Sequence, residues 1–494
     1  MKTGVIGAGI GGLATACLLA AEGCKVTVWE KNDSVGGKMN QFKKDGYRFD
    51  TGPSLFTMPF VLEDIFKKCG KSVDDYLEIV SVDPICRYFW NDGVVFDSSV
   101  NLPDTLKQIQ EFAPQDAESY VKFLGYSADI YQKTAATFLY NPLQKLRDLR
   151  KVKKSDFFKI DAFSTVSNKV DRYFESKYLR QFFKRFTTYN GSSPFIAPAT
   201  LNVIPYVELC LGGFYVKGGL YKIAEALHKL AEEMDVAFEF NTEIKRILSD
   251  NGKVTGVLLK NDSTVEVDAL FSNADATFTY TKLCGTDVIK PRAKQQFKDI
   301  EPSCSGFVLM LGVNTTFDNL VHHNIFFSDD YENEFRQLFI KKQTATDPTI
   351  YIANTSYDEA GHAPKGCSNL FILVNTPYLS DEVEWTDEFT NAYGEKIIKM
   401  LEEKGLENLS KHIDVKEYIT PKDFYDLYYS NRGSIYGTSS NLPLSAFLRP
   451  RNKSPYLSNM YLTGGSTHPG GGIPLVMLSA LHAVQLFSRD KNQA

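Results

Sequence analysis

Gly4-Val-Ile-Gly-Ala-Gly-Ile-Gly-Gly12 decides how this 494-residue chain is read. Lys2 to Ile6 has the pattern of a buried strand, and Leu13 to Glu22, rich in Ala and Leu, that of a helix. Between them Gly7, Gly9 and Gly12 make the spacing GxGxxG. Gly7 permits the tight turn, Gly9 lets a pyrophosphate approach the backbone with no Cβ in the way, and Gly12 lets helix and strand pack closely. The helix N-terminus adds free N–H groups and a partial positive charge. Lys25 to Trp29 follows as a second strand and ends at Glu30, where a carboxylate accepts hydrogen bonds from ribose hydroxyls and repels a 2′-phosphate. Strand, turn, helix, strand and acid in this order predict a Rossmann-like α/β unit that binds a dinucleotide.

A second glycine-rich segment, Gly464-Gly-Ser-Thr-His-Pro-Gly-Gly-Gly-Ile-Pro474, lies near the other end of the chain. The predicted strand Asn459 to Thr463 leads into it and a predicted helix, Pro474 to Phe487, leaves it; Pro is tolerated at a helix start because no N–H is needed there. If both glycine segments touch one ligand, the chain ends meet in space. Between them lie Gly36-Gly37-Lys38, Tyr47-Arg-Phe-Asp-Thr-Gly-Pro-Ser54 and Val216-Lys-Gly-Gly-Leu220. A helix from Tyr221 to Glu233 and strands at Ala237 to Phe240, Thr242 to Leu248 and Asp268 to Ala274 complete the mid-chain pattern. The last of these ends in a turn of small residues at Asn273.

Composition sets outer bounds. Hydrophobic content of 43% and charged content of 23% are ordinary for a globular protein, and the length suits two or three domains. A net charge of −5 gives no electrostatic case for nucleic acid. The 35 Phe and 26 Tyr favour a large apolar ligand or surface. Eight scattered cysteines without a CxxC pair argue against a metal site or a disulfide framework and suit a reducing cytoplasm. The apolar stretch Val5 to Ala21 reads as fold rather than as a signal peptide. No stretch has the length of a membrane span, so any membrane contact is expected to be peripheral.

GAGIGGL, VGGK, DTGPS, VKGGL and GGSTHPGGGIP, in this order, resemble the amine-oxidase-like branch of FAD proteins and, within it, the bacterial-type carotenoid desaturases related to phytoene desaturase. The likeness covers most of the chain and is weakest between Leu102 and Phe163. It implies a discontinuous FAD-binding domain (1–75, 215–279 and 451–494), a mixed-sheet substrate domain (76–102, 164–214 and 280–450) and a helical lid (103–163), α+β overall. The implied cofactor contacts are Gly7, Gly9, Gly12, Glu30, Lys31, Gly36, Gly37, Lys38, Thr51, Gly52, Pro53, Ser54, Ile244, Asn273, Gly464, Gly465, Gly472, Ile473 and Pro474. Most relatives carry Arg at the position of Lys38, whose compact charge lacks the planar fork. The helix entered at Pro474 points its positive end at the flavin N1–C2=O edge, where charge collects on reduction.

The string Thr187-Thr-Tyr-Asn-Gly-Ser-Ser-Pro194 is similar to that of members acting on 1-hydroxycarotenoids, the 3,4-desaturases. Such enzymes take a hydride to flavin N5 and lose a neighbouring proton, with oxygen or a quinone as final electron acceptor. Positioning dominates that chemistry. His468 is the imidazole inside the flavin-facing motif and the candidate general base. Tyr189, Asn190 and Glu208 are candidates for contacting a terminal hydroxyl. Lys145 to Lys154, the densest basic run, next to Phe157-Phe158, is expected to dock on the inner face of the cell membrane. Alternatives of the same fold are a phytoene desaturase, a polyene isomerase, an amine-type oxidase and a prenyl-binding carrier like the Rab GDP-dissociation inhibitors.

Overall fold

Lys2–Ile6 occupies the middle of a five-stranded sheet whose order is Met460–Leu462, Ala269–Ser272, Lys2–Ile6, Lys25–Trp29, Ala237–Glu239. The computed structural model describes residues 1–142, 161, 163–441 and 449–493. All four pairings in this sheet are parallel, with Val5 between Val28 and Phe271 and Phe271 opposite Tyr461. Strands buried on both faces read as unbroken apolar runs, as Gly4-Val-Ile6 and Ala269-Leu-Phe271 do. Gly4 is required because a Cβ there would stand 2.5 Å from the Trp29 ring.

The helices Ile10–Ala21, Lys222–Glu233 and Ile473–Lys491 share one apolar core against this sheet. The first begins three residues earlier than the sequence pattern predicts, because Gly11 and Gly12 join it. The last runs from Ile473 to Lys491, four residues beyond the predicted stop at Phe487, and Pro474 sits in its first turn. A three-stranded meander, Ile244–Asp250, Lys253–Leu259 and Thr264–Glu266, covers the sheet near Trp29 and Leu270.

A second sheet has seven strands, in the order Ile413–Ile419, Ser305–Val313, Ser368–Thr376, Ile350–Ala353, His323–Phe326, Cys86–Phe89, Val95–Ser98. Its pairings are antiparallel except that between His323–Phe326 and Cys86–Phe89. Side chains alternate across it with the strand period of two. Leu309, Leu311, Ile350, Ile352, Leu370 and Ile372 pack with Ile397 and Leu401 of the helix Asp387–Glu403. The opposite face presents His323, Ile325, Tyr351, Phe371 and Leu373 to a cavity.

Helices Leu102–Phe112, Ala117–Thr134, Val166–Tyr173, Lys177–Lys184 and Val203–Leu209 close the far side. They are held by an aromatic cluster in which Phe123, Phe174, Phe182 and Phe183 stack and edge against one another. The basic run Lys145 to Lys154, and Phe157-Phe158 with it, lies outside the described residues. No helix among the described residues is long and apolar enough to cross a membrane.

Candidate functional site

The glycine spacing at the N-terminus produces a cradle with no spare room. Gly7 has φ +89°, a conformation L side chains rarely adopt. A Cβ on Gly12 would lie 2.0 Å from the Gly7 carbonyl oxygen, so the helix can approach its strand only with glycine there. Gly9 caps the helix with no side-chain hydrogen bond, leaving the first-turn N–H groups without a capping side chain. Gly36 donates its N–H to the Ala8 carbonyl at 2.9 Å, which lays the Gly36-Gly37 loop beside Gly9. Glu30 is buried and accepts from the N–H of Ala8 at 2.7 Å and of Asn32 at 2.9 Å. Burial pushes its carboxyl above the ordinary value while those donors oppose the shift. Each oxygen keeps acceptor capacity toward the cavity that Glu30 lines.

The segment Tyr47–Ser54 divides its work. Arg48 and Asp50 form a buried bidentate pair, both bonds at 2.7 Å. Asp50 also accepts from the N–H groups of Leu220 and Tyr221 at 3.0 Å each, which docks the mid-chain Val216–Leu220 turn. Gly219 lies against Arg48 so closely that a Cβ would sit 2.0 Å from the guanidinium. Thr51, Gly52, Pro53 and Ser54 then line the cavity, with Lys38 beside them. The Lys38 ammonium donates to the carbonyls of Ser434 at 2.9 Å and Ile435 at 3.1 Å. Burial pushes it down to about 8, opposed by the Asp275 carboxylate. A compact ammonium reaches two carbonyls on one loop, so Lys serves here without the guanidinium fork. Lys31 also lines the cavity, but its ammonium donates to the Asp426 carbonyl at 2.7 Å and lies over the Tyr429 ring.

At the other end of the chain Gly464, Gly465, Gly472, Ile473 and Pro474 face the same cavity, as do Ile244 and Asn273. The terminal helix starts at Gly472, φ +105°, with no side-chain cap. Arg449, which the sequence reading missed, is buried; it donates to Ser440 Oγ at 2.8 Å and to the Gly465 carbonyl at 3.4 Å. Burial pushes its guanidinium down to about 10. His468 lines the cavity, yet its ring is committed: Nε2 donates to the Asn141 carbonyl at 3.2 Å, and the ring stacks on His482 at 5.4 Å. Burial pushes His468 down to about 4, so it is neutral at physiological pH.

From these motifs the cavity, about 630 Å³, extends to the helical side, where Thr188, Tyr189 and Asn190 line it. Glu208 does not. It lies behind the lining, where its carboxylate accepts from Arg185 Nη2 at 2.5 Å and from the Tyr189 hydroxyl. Arg185 also donates to the Tyr88 hydroxyl and packs on the Phe186 ring. Glu208 is therefore the counter-charge of a buried guanidinium. Arg185, His323, Tyr331 and Tyr351 face the cavity as well; the signal available for them was polar residues set in aromatic or β-branched runs.

An uncapped helix start behind a cradle only glycine can form, a buried carboxylate on the cavity wall and a second uncapped helix start on the same cavity define a site for FAD, and the residues present fit it. The chain is thus a flavin-dependent oxidoreductase of mixed α/β architecture. It belongs to the family described as flavin containing amine oxidoreductase, whose pattern matches residues 10–486. It is 37% identical over 477 residues to a 4,4'-diapolycopene oxygenase of Methylomonas sp, covering 96% of this chain and 95% of that one. It is 36% identical over 485 residues to a 1-hydroxycarotenoid 3,4-desaturase of Flavobacterium sp. (strain P99-3), covering 97% of each. Among solved structures, an oxidoreductase from Methanosarcina mazei shares the fold with a TM-score of 0.65 at 17% identity, covering 98% of this chain and 100% of that one.

Proposed function

We propose that this chain is an FAD-dependent carotenoid desaturase that introduces a C=C bond into a C40 carotenoid, and that its specific reaction is 3,4-desaturation of a 1-hydroxycarotenoid. The observation that carries this reading is continuity: the flavin cradle and an apolar wall of Leu139, Leu201, Ile204, Val207, Ile325 and Leu373 line one cavity. A polyene threaded along that wall reaches Thr51–Ser54 and Gly464–Pro474. The name of the 36% identical relative supports the substrate class.

FAD, when bound, supplies a hydride acceptor at N5. We assign its pyrophosphate to the turn Gly7–Gly12, its ribose to Glu30, its adenine side to Ile244 and its ring to Thr51–Ser54 and Gly464–Pro474. The chain's own part is orientation, because an allylic C–H must be held against the acceptor in a near-attack geometry. Thr188, Tyr189 and Asn190 offer hydroxyl and amide groups to a terminal hydroxyl, with Arg185 and Glu208 fixing the Tyr189 ring behind them. Oxygen or a quinone takes the electrons. Access from the inner face of the cell membrane is supported by apolar side chains exposed on the helical part, Val121, Phe163 and Ile196.

The 37% identical relative favours a second reading, oxygenation of a carotenoid. One incubation separates the two. The FAD-loaded protein is given a 1-hydroxycarotenoid in liposomes, with a quinone under anaerobic conditions and with labelled oxygen in parallel. The proposal expects loss of two hydrogens, a red-shifted product spectrum and no label. Labelled product formed only with oxygen would establish the second reading, and an unchanged spectrum in both arms would overturn desaturation.

A further inference from the structure

A polyene that gives up a hydride must also give up a proton, and the cavity that holds it is lined mostly by apolar atoms. From Ser54, at the edge of the flavin cradle, runs a series of polar groups that beyond Ser54 have been given no role above. Ser54 Oγ is hydrogen-bonded to the Tyr351 hydroxyl, and that hydroxyl is 2.8 Å from His323 Nδ1. All three residues line the cavity. The His323 ring lies 4.4 Å, centroid to centroid, from that of its neighbour His322. Nδ1 of His322 is 2.6 Å from Asp358 Oδ2, and the Asp358 side chain is 42% exposed. The one break in the series lies between the two imidazoles. Both Nε2 atoms are buried and have no hydrogen-bond partner among the described residues. Two orphaned nitrogens on adjoining rings are the setting in which one water serves both, donating to one and accepting from the other.

We propose that Ser54, Tyr351, His323, His322 and Asp358 form a proton conduit from the cavity to solvent, carrying away the proton that the substrate releases. The proposal rests on the desaturase reading. The C–H bond next to the carbon that lost hydride breaks, its electron pair becomes the new π bond, and its proton passes to the hydroxyl pair Ser54–Tyr351. Tyr351 passes its own proton to His323 Nδ1, and His323 releases the one on Nε2 through the water to His322 Nε2. His322 then gives its Nδ1 proton to the Asp358 carboxylate, which delivers it to solvent. No group gains or loses net charge once the proton has left, and no further reactant is needed. A neutral imidazole accepts a proton at one ring nitrogen and releases another from the second, and it does so near physiological pH. Burial above all, with the nearby Arg185 guanidinium, pushes His323 well below its ordinary value and so keeps it in that neutral form. The hydrogen bond from His322 holds the Asp358 carboxyl below its ordinary value against burial, with Lys217 adding to the effect, and so favours the ionised carboxylate that receives the proton.

The test uses the FAD-loaded enzyme and its Tyr351→Phe, His323→Gln, His322→Gln and Asp358→Asn variants. Anaerobic stopped-flow bleaching of the flavin by a 1-hydroxycarotenoid should slow about 10- to 100-fold in each variant, short of removing a direct acid or base. The solvent deuterium isotope effect should rise, and free imidazole should restore rate to the histidine variants. KM and the flavin spectrum should stay as in wild type. A wild-type enzyme that desaturates, with His323→Gln and Asp358→Asn unchanged in rate and isotope effect, would overturn the conduit alone. A second measurement needs no substrate: nitrogen NMR of histidine-labelled holoprotein. The conduit expects the His322 and His323 ring nitrogens to exchange protons, and Asp358→Asn, a change at a partly exposed side chain, to alter both rings together. Two static tautomers, with His323 indifferent to Asp358→Asn, would reject it even if the substrate proves to be another.

Discussion

Gly11 and Gly464 are in contact although 453 residues separate them: a Cβ on Gly11 would lie 3.1 Å from the Gly464 nitrogen and 2.5 Å from Asn273 Oδ1. The N-terminal helix, the strand end at Asn273 and the C-terminal glycine loop therefore form one packed junction beneath the cofactor cradle. Gly464 N–H donates to Ser479 Oγ at 2.7 Å, which ties the junction to the terminal helix. Gly11→Ala should overpack it and cost about 1–3 kcal/mol. Thermal melting and the flavin-to-protein ratio after desalting check this, and both should fall together. A stable variant that keeps its flavin would mean the junction yields without reaching the cradle.

Glu208 predicts a different signature, one of charge rather than of space. Its removal leaves the Arg185 guanidinium buried without its carboxylate, so Glu208→Gln should cost about 3–5 kcal/mol. Removing both charges, in Arg185→Met with Glu208→Gln, should recover much of that loss. Chemical denaturation of the two variants decides it. A double variant less stable than the single one would show that Arg185 holds the aromatic wall by contact alone.

The two glycine segments were legible because local geometry forces them: positive φ at Gly7 and Gly472 and the 2.0 Å approach at Gly12 leave one residue type possible. The roles of Asp50 and Glu208 were not legible. Asp50 adjoins the cavity-lining stretch Thr51–Ser54, yet its partners include N–H groups about 170 residues away, at Leu220 and Tyr221. Glu208 is near a polar string, but helical packing turns it toward Arg185 and away from the cavity. The seven-stranded sheet likewise assembles strands from Cys86 to Ile419, and a strand's own pattern of residues does not say which distant strand it pairs with. His322 and His323 adjoin in sequence, but their link to Tyr351 and Asp358 exists only in the folded chain.

His468 was the candidate base, and its surroundings argue for a structural donor. An imidazole pushed down to about 4 has already lost its proton across the working range, and its Nε2–H is held by the Asn141 carbonyl. His468→Gln keeps a donor at that position. The pH–rate profile of flavin bleaching should therefore keep its shape above about pH 5, with the rate altered only a few-fold. A limb lost from the profile would return His468 to acid–base work.

Glu334 predicts how stability depends on pH. It is buried, accepting from Ser328 Oγ at 2.7 Å and from the Thr349 N–H at 3.0 Å, and burial pushes its carboxyl up from 4.5 to about 7. A raised carboxyl holds its proton more tightly in the folded state, so between these two values the folded chain binds more protons than the unfolded one. Its contribution to stability is fully present below about pH 4.5 and is lost as pH rises through about 7, with a slope of at most about 1.4 kcal/mol per pH unit. Glu334→Gln titrates nowhere in this window. The difference in melting temperature between variant and wild type should therefore move in the variant's favour from pH 5 to pH 7 and level off above it. A constant difference across that range would mean Glu334 is ionised in the folded protein, its charge carried by the Ser328 and Thr349 donors.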